Sequence, residues 1–263
     1  MSERQVRLKR LLALALLLRV LMMAPVAKSQ NFVGEAAKEE ASANSRTIDG
    51  LTGDEVVARM TERNRLRTEH LQSYSAVRKY EIRNPDGHVS AEAVVRVDYQ
   101  APGRKKFQKV SEEGSWVVRR LVFDRLLQSE EETSSGQERR DSAISDRNYW
   151  FTIIGEENLG TRRCFIVEAK PKRTDKYLFE GKLWIDAQDF GIAKISGHPA
   201  AKLSFWISRA EFVRQFQRID GYWLPQLDET IVDIKIHGRR EFRIEHQQYV
   251  INAANNLAPQ QQE

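Results

Sequence analysis

Residues 222–250 read YWLPQLDETIVDIKIHGRREFRIEHQQYV, and this stretch decides the fold class of the chain. Apolar and polar side chains alternate on both sides of Gly238. Successive side chains of a β-strand point to opposite faces, so this period of two predicts two antiparallel strands that turn at Gly238. The positions that share one face of this pair are Thr230, Val232, Ile234, Ile236, Phe242 and Ile244.

The same alternation recurs along most of the chain after residue 73. Turn signals such as Asn84-Pro85-Asp86-Gly87 and Asp220-Gly221 separate the strands. Helix and strand do not alternate as they do in parallel βαβ units, so we expect a mainly β protein whose antiparallel sheet curls or closes. The predicted strands cover residues 74–82, 91–99, 105–110, 149–154, 162–169, 177–186, 191–196, 203–218, 222–236 and 239–250.

Two segments have helical periodicity instead. Thr52 offers an N-cap hydroxyl and Glu55 follows three residues later, which is the pattern of a capping box. A first helix is therefore predicted over about 52–71, and a second over about 116–128. The apolar residues at helical spacing are Val56, Val57, Met60, Leu66 and Leu71 in the first helix, and Val117, Leu121, Leu126 and Leu127 in the second.

The first 29 residues have the composition of an export signal. Basic residues precede the apolar run Leu11–Leu18, and small residues follow at Ala27 and Ser29. The alternative is an uncleaved anchor, but a spanning helix needs about 20 apolar residues and Arg19 interrupts this run. We therefore predict an exported protein with a signal peptide (1–29), a disordered linker (30–50), one domain (51–250) and a frayed tail (251–263), with no transmembrane segment after cleavage.

Charge argues against a nucleic-acid-binding protein. The leader holds six of the 42 basic residues and one of the 37 acidic residues, so 36 of each remain after residue 29. The net charge of +5 therefore belongs to the leader. The composition of the remaining chain does not indicate a basic patch of the kind that binds nucleic acid.

Motifs of catalysis and cofactor binding are missing from the sequence. It contains no glycine-rich phosphate loop, no nucleophile elbow, and no paired His or Cys at metal-ligand spacing. The five histidines fall in separate segments, two of them in turns at His198 and His237, and are predicted to be solvated polar residues. Cys164 is predicted to be a buried apolar residue beside Phe165. We therefore expect a protein that is not an enzyme and that uses neither a cofactor nor a metal.

The apolar faces of the later strands are the candidate binding site. Two predicted helices are few for a sheet of about ten strands, so part of its apolar face is left for a ligand. The alternative is that the sheet closes and fills its own interior with side chains. The candidate wall consists of Phe179, Leu183, Val232, Ile234, Phe242 and Ile244. The candidate contacts for an anionic head group are Arg104, Lys105 and Lys106, which also suit a solvated edge strand.

The order of these elements resembles the LolA-like family of outer-membrane lipoprotein-sorting carriers. The resemblance covers about residues 54–250 and rests on order and spacing more than on any one motif. The segments that carry it are Leu71–Tyr74, Val97–Phe107, Gly181–Asp186, Ile195–Pro199 and Asp220–Pro225. It implies an incomplete, half-open β-barrel with helices over an apolar cavity, and a location in the periplasm.

Two function classes follow from this resemblance. The first is a carrier or binding protein for an acyl chain or lipoprotein, and the second is an envelope sensor or structural module that binds a protein partner through the sheet. One position departs from the sorting carriers, in which an arginine before the proline helps to latch the lid. Ala101 precedes Pro102 here, and a methyl group cannot donate that hydrogen bond.

Overall fold

The computed structural model describes residues 46–252, except for 102–103, 117–118, 125, 128–141, 176, 206 and 236–237. The predicted signal peptide, linker residues 30–45 and tail residues 253–263 lie outside the described residues, as do Val117 and Ile236. Ile48, which the sequence assigned to the linker, forms a β-bridge with Leu51. Both side chains pack against the core.

All ten predicted strands are present in one antiparallel sheet, each within a few residues of its expected bounds. The observed strands are β1 (Ser73–Arg83), β2 (Val89–Gln100), β3 (Arg104–Gly114), β4 (Tyr149–Leu159), β5 (Arg162–Pro171), β6 (Phe179–Asp186), β7 (Ile192–Pro199), β8 (Ile207–Ile219), β9 (Tyr222–Ile234) and β10 (Gly238–Asn252).

The order of the strands across the sheet is β3-β2-β1-β10-β9-β8-β7-β6-β5-β4. Only β1 and β10 pair across a large distance in sequence, and every other pair is made by neighbours along the chain. Because β3 and β4 are the two edges and do not pair with each other, the sheet is an open barrel, as expected. Strand β10 begins at Gly238 at one end of the sheet, and the β8–β9 turn at Gly221 lies at the other; they are called the Gly238 end and the Gly221 end.

Helix α1 (Gly53–His70) covers one half of the sheet. Its capping box is formed as predicted: the Glu55 amide donates to the Thr52 hydroxyl over 3.3 Å, and the Thr52 amide donates to the Glu55 carboxylate over 2.8 Å. Farther along α1, Arg63 and Arg67 donate to the backbone oxygens of Gly221 and Trp223, both over 2.9 Å. The helix is thus fixed at its start by its cap and along its length by the β8–β9 turn.

The second predicted helix differs from expectation in its geometry. Among its described residues, Arg119–Phe123 form a π-helical turn instead of a regular α-helix. Val122, Phe123, Leu126 and Leu127 are buried against the sheet. This segment therefore covers the half of the sheet that α1 does not reach.

Two large apolar clusters fill the inner face of the sheet. The α1 cluster contains Val56, Met60 and Ile185 among others, and joins α1 to strands β4–β7. The β10 cluster contains Tyr80, Phe123 and Phe242 among others, and joins the 119–127 segment to β1, β2, β9 and β10. A smaller cluster around Leu71 and Tyr74 lies at the Gly221 end.

Candidate functional site

A cleft of about 380 Å³ opens beside the connection between β7 and β8. Leu203 of this connection packs against the β10 cluster, and Ala200 packs against the α1 cluster. Ile207 and Ala210 of β8 also line the cleft, and both are mostly buried. The cleft therefore lies over the junction of the two clusters, at the Gly238 end of the sheet.

The candidate wall residues all lie in the two large clusters, and each is at most 9% exposed. Val232, Ile234, Phe242 and Ile244 belong to the β10 cluster, whereas Phe179 and Leu183 belong to the α1 cluster. Strand register places Ile234 beside Ile207 and Val232 beside Ala210. Phe179 pairs with Pro199, which also lines the cleft, so three of the six wall residues are register partners of cleft-lining residues.

The candidate head-group residues lie away from the cleft. Arg104 and Lys106 are exposed and Lys105 is half-buried at the start of the edge strand β3. Arg104 pairs in register with Gln100, and Gln100 pairs with Ser73. This places all three basic residues at the Gly221 end, whereas Ile234 lies at the Gly238 end.

A row of polar side chains crosses the inner face between the apolar clusters. Arg78, His246, Asp228 and Arg214 come from four adjacent strands, β1, β10, β9 and β8. His246 Nε2 lies 2.9 Å from Asp228 Oδ2, and Arg214 forms an ion pair with the other oxygen of the same carboxylate. Arg78 lies over the Phe107 ring at 5.6 Å and donates to the Tyr80 hydroxyl over 3.3 Å.

Burial and neighbouring charges shift the pKa values of His246 and Asp228 in this row. Desolvation lowers the pKa of His246 below its ordinary value, and the neighbouring guanidinium groups of Arg78 and Arg214 lower it further. Desolvation alone would raise the pKa of the Asp228 carboxyl, but Arg214 and the hydrogen bond from His246 hold this pKa well below its ordinary value. At neutral pH the row therefore contains an ionised carboxylate beside a neutral imidazole.

This polar row is not among the residues predicted above, although the alternation of side chains along each strand indicates it. Arg78 lies two residues before the inward Tyr80, His246 two residues after Ile244, and Asp228 two residues before Thr230. Because side chains at i and i+2 share a face, each of them had to point inward with its apolar neighbour. The expectation that the histidines are solvated is wrong for His246, which is 4% exposed.

Cys164 is buried, as the sequence predicted, and burial raises the pKa of its thiol to about 11. A thiol in this state is a weak nucleophile at neutral pH. No group of three or more His, Cys, Asp or Glu residues in the described part of the chain is arranged to hold a metal ion. No helix within the described ranges is both long and apolar enough to cross a membrane.

Comparisons with known proteins give a likeness in structure only. No family model and no curated protein matches the chain. A domain from Vibrio parahaemolyticus described as an outer-membrane lipoprotein-sorting protein is 14% identical, with a TM-score of 0.43, over 79% of this chain and 94% of that one. A LolA superfamily protein from Nitrosomonas europaea is 9% identical, with a TM-score of 0.33, over 77% of this chain and 94% of that one.

A third solved structure, the MucA/MucB complex of Pseudomonas aeruginosa, is 12% identical, with a TM-score of 0.27, over 77% of this chain and 99% of that one. The resemblance found in the sequence thus extends to solved structures as a distant likeness of fold alone.

Proposed function

We propose that this chain is a non-enzymatic protein of the bacterial periplasm that binds an acyl chain or the acyl part of a lipoprotein. The observation that carries the proposal is the position of the cleft beside the apolar inner face. Ile207 and Ala210 line the cleft, and each pairs in register with a wall residue, Ile234 or Val232. An acyl chain that enters the cleft would meet apolar side chains on the sheet side.

The size and lining of the cleft fit this class of ligand. Small-molecule sites in proteins commonly span about 300 to 1,000 Å³ and have mainly apolar walls with a few polar groups. The cleft, of about 380 Å³, combines the apolar Leu203, Ile207 and Ala210 with the polar Lys202 and Arg209 at its edge. Burial of apolar ligand surface would supply most of the affinity, at roughly 25 cal/mol per Å².

The way in which the sheet is covered also supports binding. The 119–127 segment and α1 pack on separate halves of the inner face, and the β7–β8 connection bridges them. Elements held by separate contacts can move apart without loss of the ten-stranded sheet. We propose that a longer acyl chain is admitted by displacement of the β7–β8 connection.

A protein partner remains the alternative ligand, because an apolar face that takes an acyl chain also suits apolar peptide side chains. Native mass spectrometry of the protein purified from the cell envelope separates the two. A bound mass that dissociates as a fatty acid or lipid supports the proposal, and a bound polypeptide supports the alternative.

Titration with a fluorescent fatty acid tests the proposal in vitro. We expect saturable binding with one site per chain, and competition by unlabelled fatty acid. Failure of the wild-type protein to bind the probe, together with envelope-purified protein that carries no lipid, would exclude an acyl-binding function.

A further inference from the structure

Exposed Trp and Phe side chains lie at one end of the sheet. In the ranges that the structure describes, three of them are more than half exposed: Trp116 at 66%, Trp150 at 57% and Phe205 at 73%. Trp116 follows the end of β3, Trp150 is the second residue of β4, and Phe205 precedes β8. Register places all three positions at the Gly238 end.

Lysine side chains accompany two of these rings. Lys172 Nζ lies 3.8 Å from the centroid of the Trp150 ring, and Lys235 Nζ lies 4.0 Å from that of Phe205. Lys202 is exposed in the same connection as Phe205. The Gly238 end therefore presents aromatic rings and ammonium groups side by side.

The acidic side chains nearest to β8 and β9 at this end are engaged in ion pairs. Glu211 pairs with Arg209, and Asp233 pairs with Arg239 over 3.0 Å. These pairs cancel their own charges and leave the positive charge of Lys202 and Lys235 in place. Two exposed ammonium groups, those of Lys202 and Lys235, therefore accompany Phe205.

The three aromatic residues are too widely spaced to serve one small ligand. Four strand spacings separate β8 from β4, which corresponds to about 19 Å across the sheet at roughly 4.8 Å per strand. Trp116 lies in the opposite direction, beyond the edge strand β3. Because all three lie at the same end of the sheet, a partner that contacts them together has to be a broad surface.

We propose that the Gly238 end of the sheet docks on an anionic lipid bilayer. Aromatic rings prefer the interface between lipid and water, and lysine is attracted to anionic head groups. This inference rests in part on the proposed acyl-binding function, because the cleft opens at the same end and would then face the lipid from which an acyl chain enters.

Vesicle co-sedimentation tests the docking surface. The protein is the chain from Gln30 onward, which contains every described helix and strand. The vesicles are phosphatidylcholine alone, or phosphatidylcholine mixed with phosphatidylglycerol. We expect binding to the phosphatidylglycerol vesicles only, with affinity that falls as salt screens the lysines.

Two sets of substitutions locate the contact. Phe205→Ser combined with Trp116→Ser should weaken vesicle binding by about tenfold or more, since buried aromatic surface is lost. Lys202→Gln combined with Lys235→Gln should remove most of the preference for phosphatidylglycerol. Val250→Ser is the matched control, because Val250 is 56% exposed but lies on β10 toward the Gly221 end. All the substituted side chains are exposed, and thermal unfolding confirms that the variants remain folded.

Three outcomes would overturn the docking surface: no binding to either kind of vesicle, equal binding to both, or unchanged binding by the Phe205→Ser, Trp116→Ser variant. The fatty-acid titration separates this failure from failure of the proposed function. If the protein binds the acyl probe but no vesicle, the proposed function is supported and the docking surface is contradicted. If the protein binds anionic vesicles through Phe205 but no acyl probe, the docking surface is supported and the proposed function is contradicted.

Discussion

His246 on β10 and Asp228 on β9 form a hydrogen bond of 2.9 Å inside the apolar face of the sheet. Both residues are buried. Because Asp228 stays ionised, Nε2 of His246 is the donor and Nδ1 carries the lone pair at neutral pH. Nδ1 has no hydrogen-bond partner within the described residues. A proton added there would place a further positive charge near Arg78 and Arg214.

The first prediction concerns the pH dependence of stability. The folded-state pKa of His246 is lowered from 6.5, so the folded protein binds fewer protons than the unfolded chain just below that pH. We expect the free energy of unfolding to be highest above pH 6.5 and to fall as the pH decreases toward the folded-state pKa. Urea unfolding at a series of pH values measures this slope.

The matched variant is His246→Gln, which removes the titrating group while keeping a donor for Asp228. Its stability should change much less between pH 6.5 and mildly acidic pH. Asp228 also has a lowered pKa, but its contribution is lost only as the pH falls below about 3.8, outside this window. An unchanged slope in His246→Gln would assign the pH dependence to other groups.

The second prediction concerns the ion pair between Arg214 and Asp228. Asp228→Asn removes the carboxylate and leaves Arg214 partly buried beside a neutral amide, and loss of one member of a buried pair costs about 3 to 5 kcal/mol. We expect urea unfolding to show a destabilisation of this order. Glu62→Gln is the control: Glu62 pairs with Arg65 on the exposed face of α1, where solvent screening leaves such a pair with little effect on stability. Equal losses in the two variants would contradict a special role for the buried row.

The third prediction concerns the contact that fixes α1 on the sheet. A Cβ atom on Gly53 would lie 2.9 Å from the Ile153 amide nitrogen and 3.0 Å from the Phe151 carbonyl. Gly53→Ala should therefore push the helix from β4 and destabilise the fold by about 1 to 3 kcal/mol, although alanine favours helix formation. Gly155→Ala is the control on the same strand, because no atom lies within 4 Å of its added Cβ. Thermal unfolding of both variants tests the prediction, and an unchanged Gly53→Ala would contradict the close contact.

The fold was largely predictable because its strands alternate so regularly. The period of two in residues 222–250 predicts the bounds of β9 and β10 to within two residues. The capping box at Thr52 and Glu55 located the start of α1 in the same local way. Local pattern was sufficient in both cases, since each element depends on residues close to it in sequence.

The site was less predictable because it depends on how distant segments meet. Alternation correctly placed Val232, Ile234, Phe242 and Ile244 in one cluster, but it could not assign Phe179 and Leu183 to a different one. Nor could it show that the β7–β8 connection, with Leu203, bridges the two. The polar row is harder to predict for another reason. Apolar side chains ordinarily mark the inner face of a sheet, but Arg78 and His246 occupy inward positions of the same alternation.

The central claim is that the inner face beside the cleft receives an acyl chain. Ile234→Glu places a carboxylate next to the cleft, where water can reach it, whereas Ile185→Glu places one in the α1 cluster, where Ile185 is fully buried. We expect Ile185→Glu to unfold the domain, and Ile234→Glu to remain folded by circular dichroism.

The decisive measurement is the titration of folded Ile234→Glu with the fluorescent fatty acid, beside the wild-type protein. The acyl-binding account predicts saturable binding by the wild type and a loss of affinity of about tenfold or more in the variant. Undiminished binding by the variant would show that the ligand binds at another site. A wild-type protein that binds no probe, with Ile234→Glu as unfolded as Ile185→Glu, would contradict the account and leave a closed apolar core.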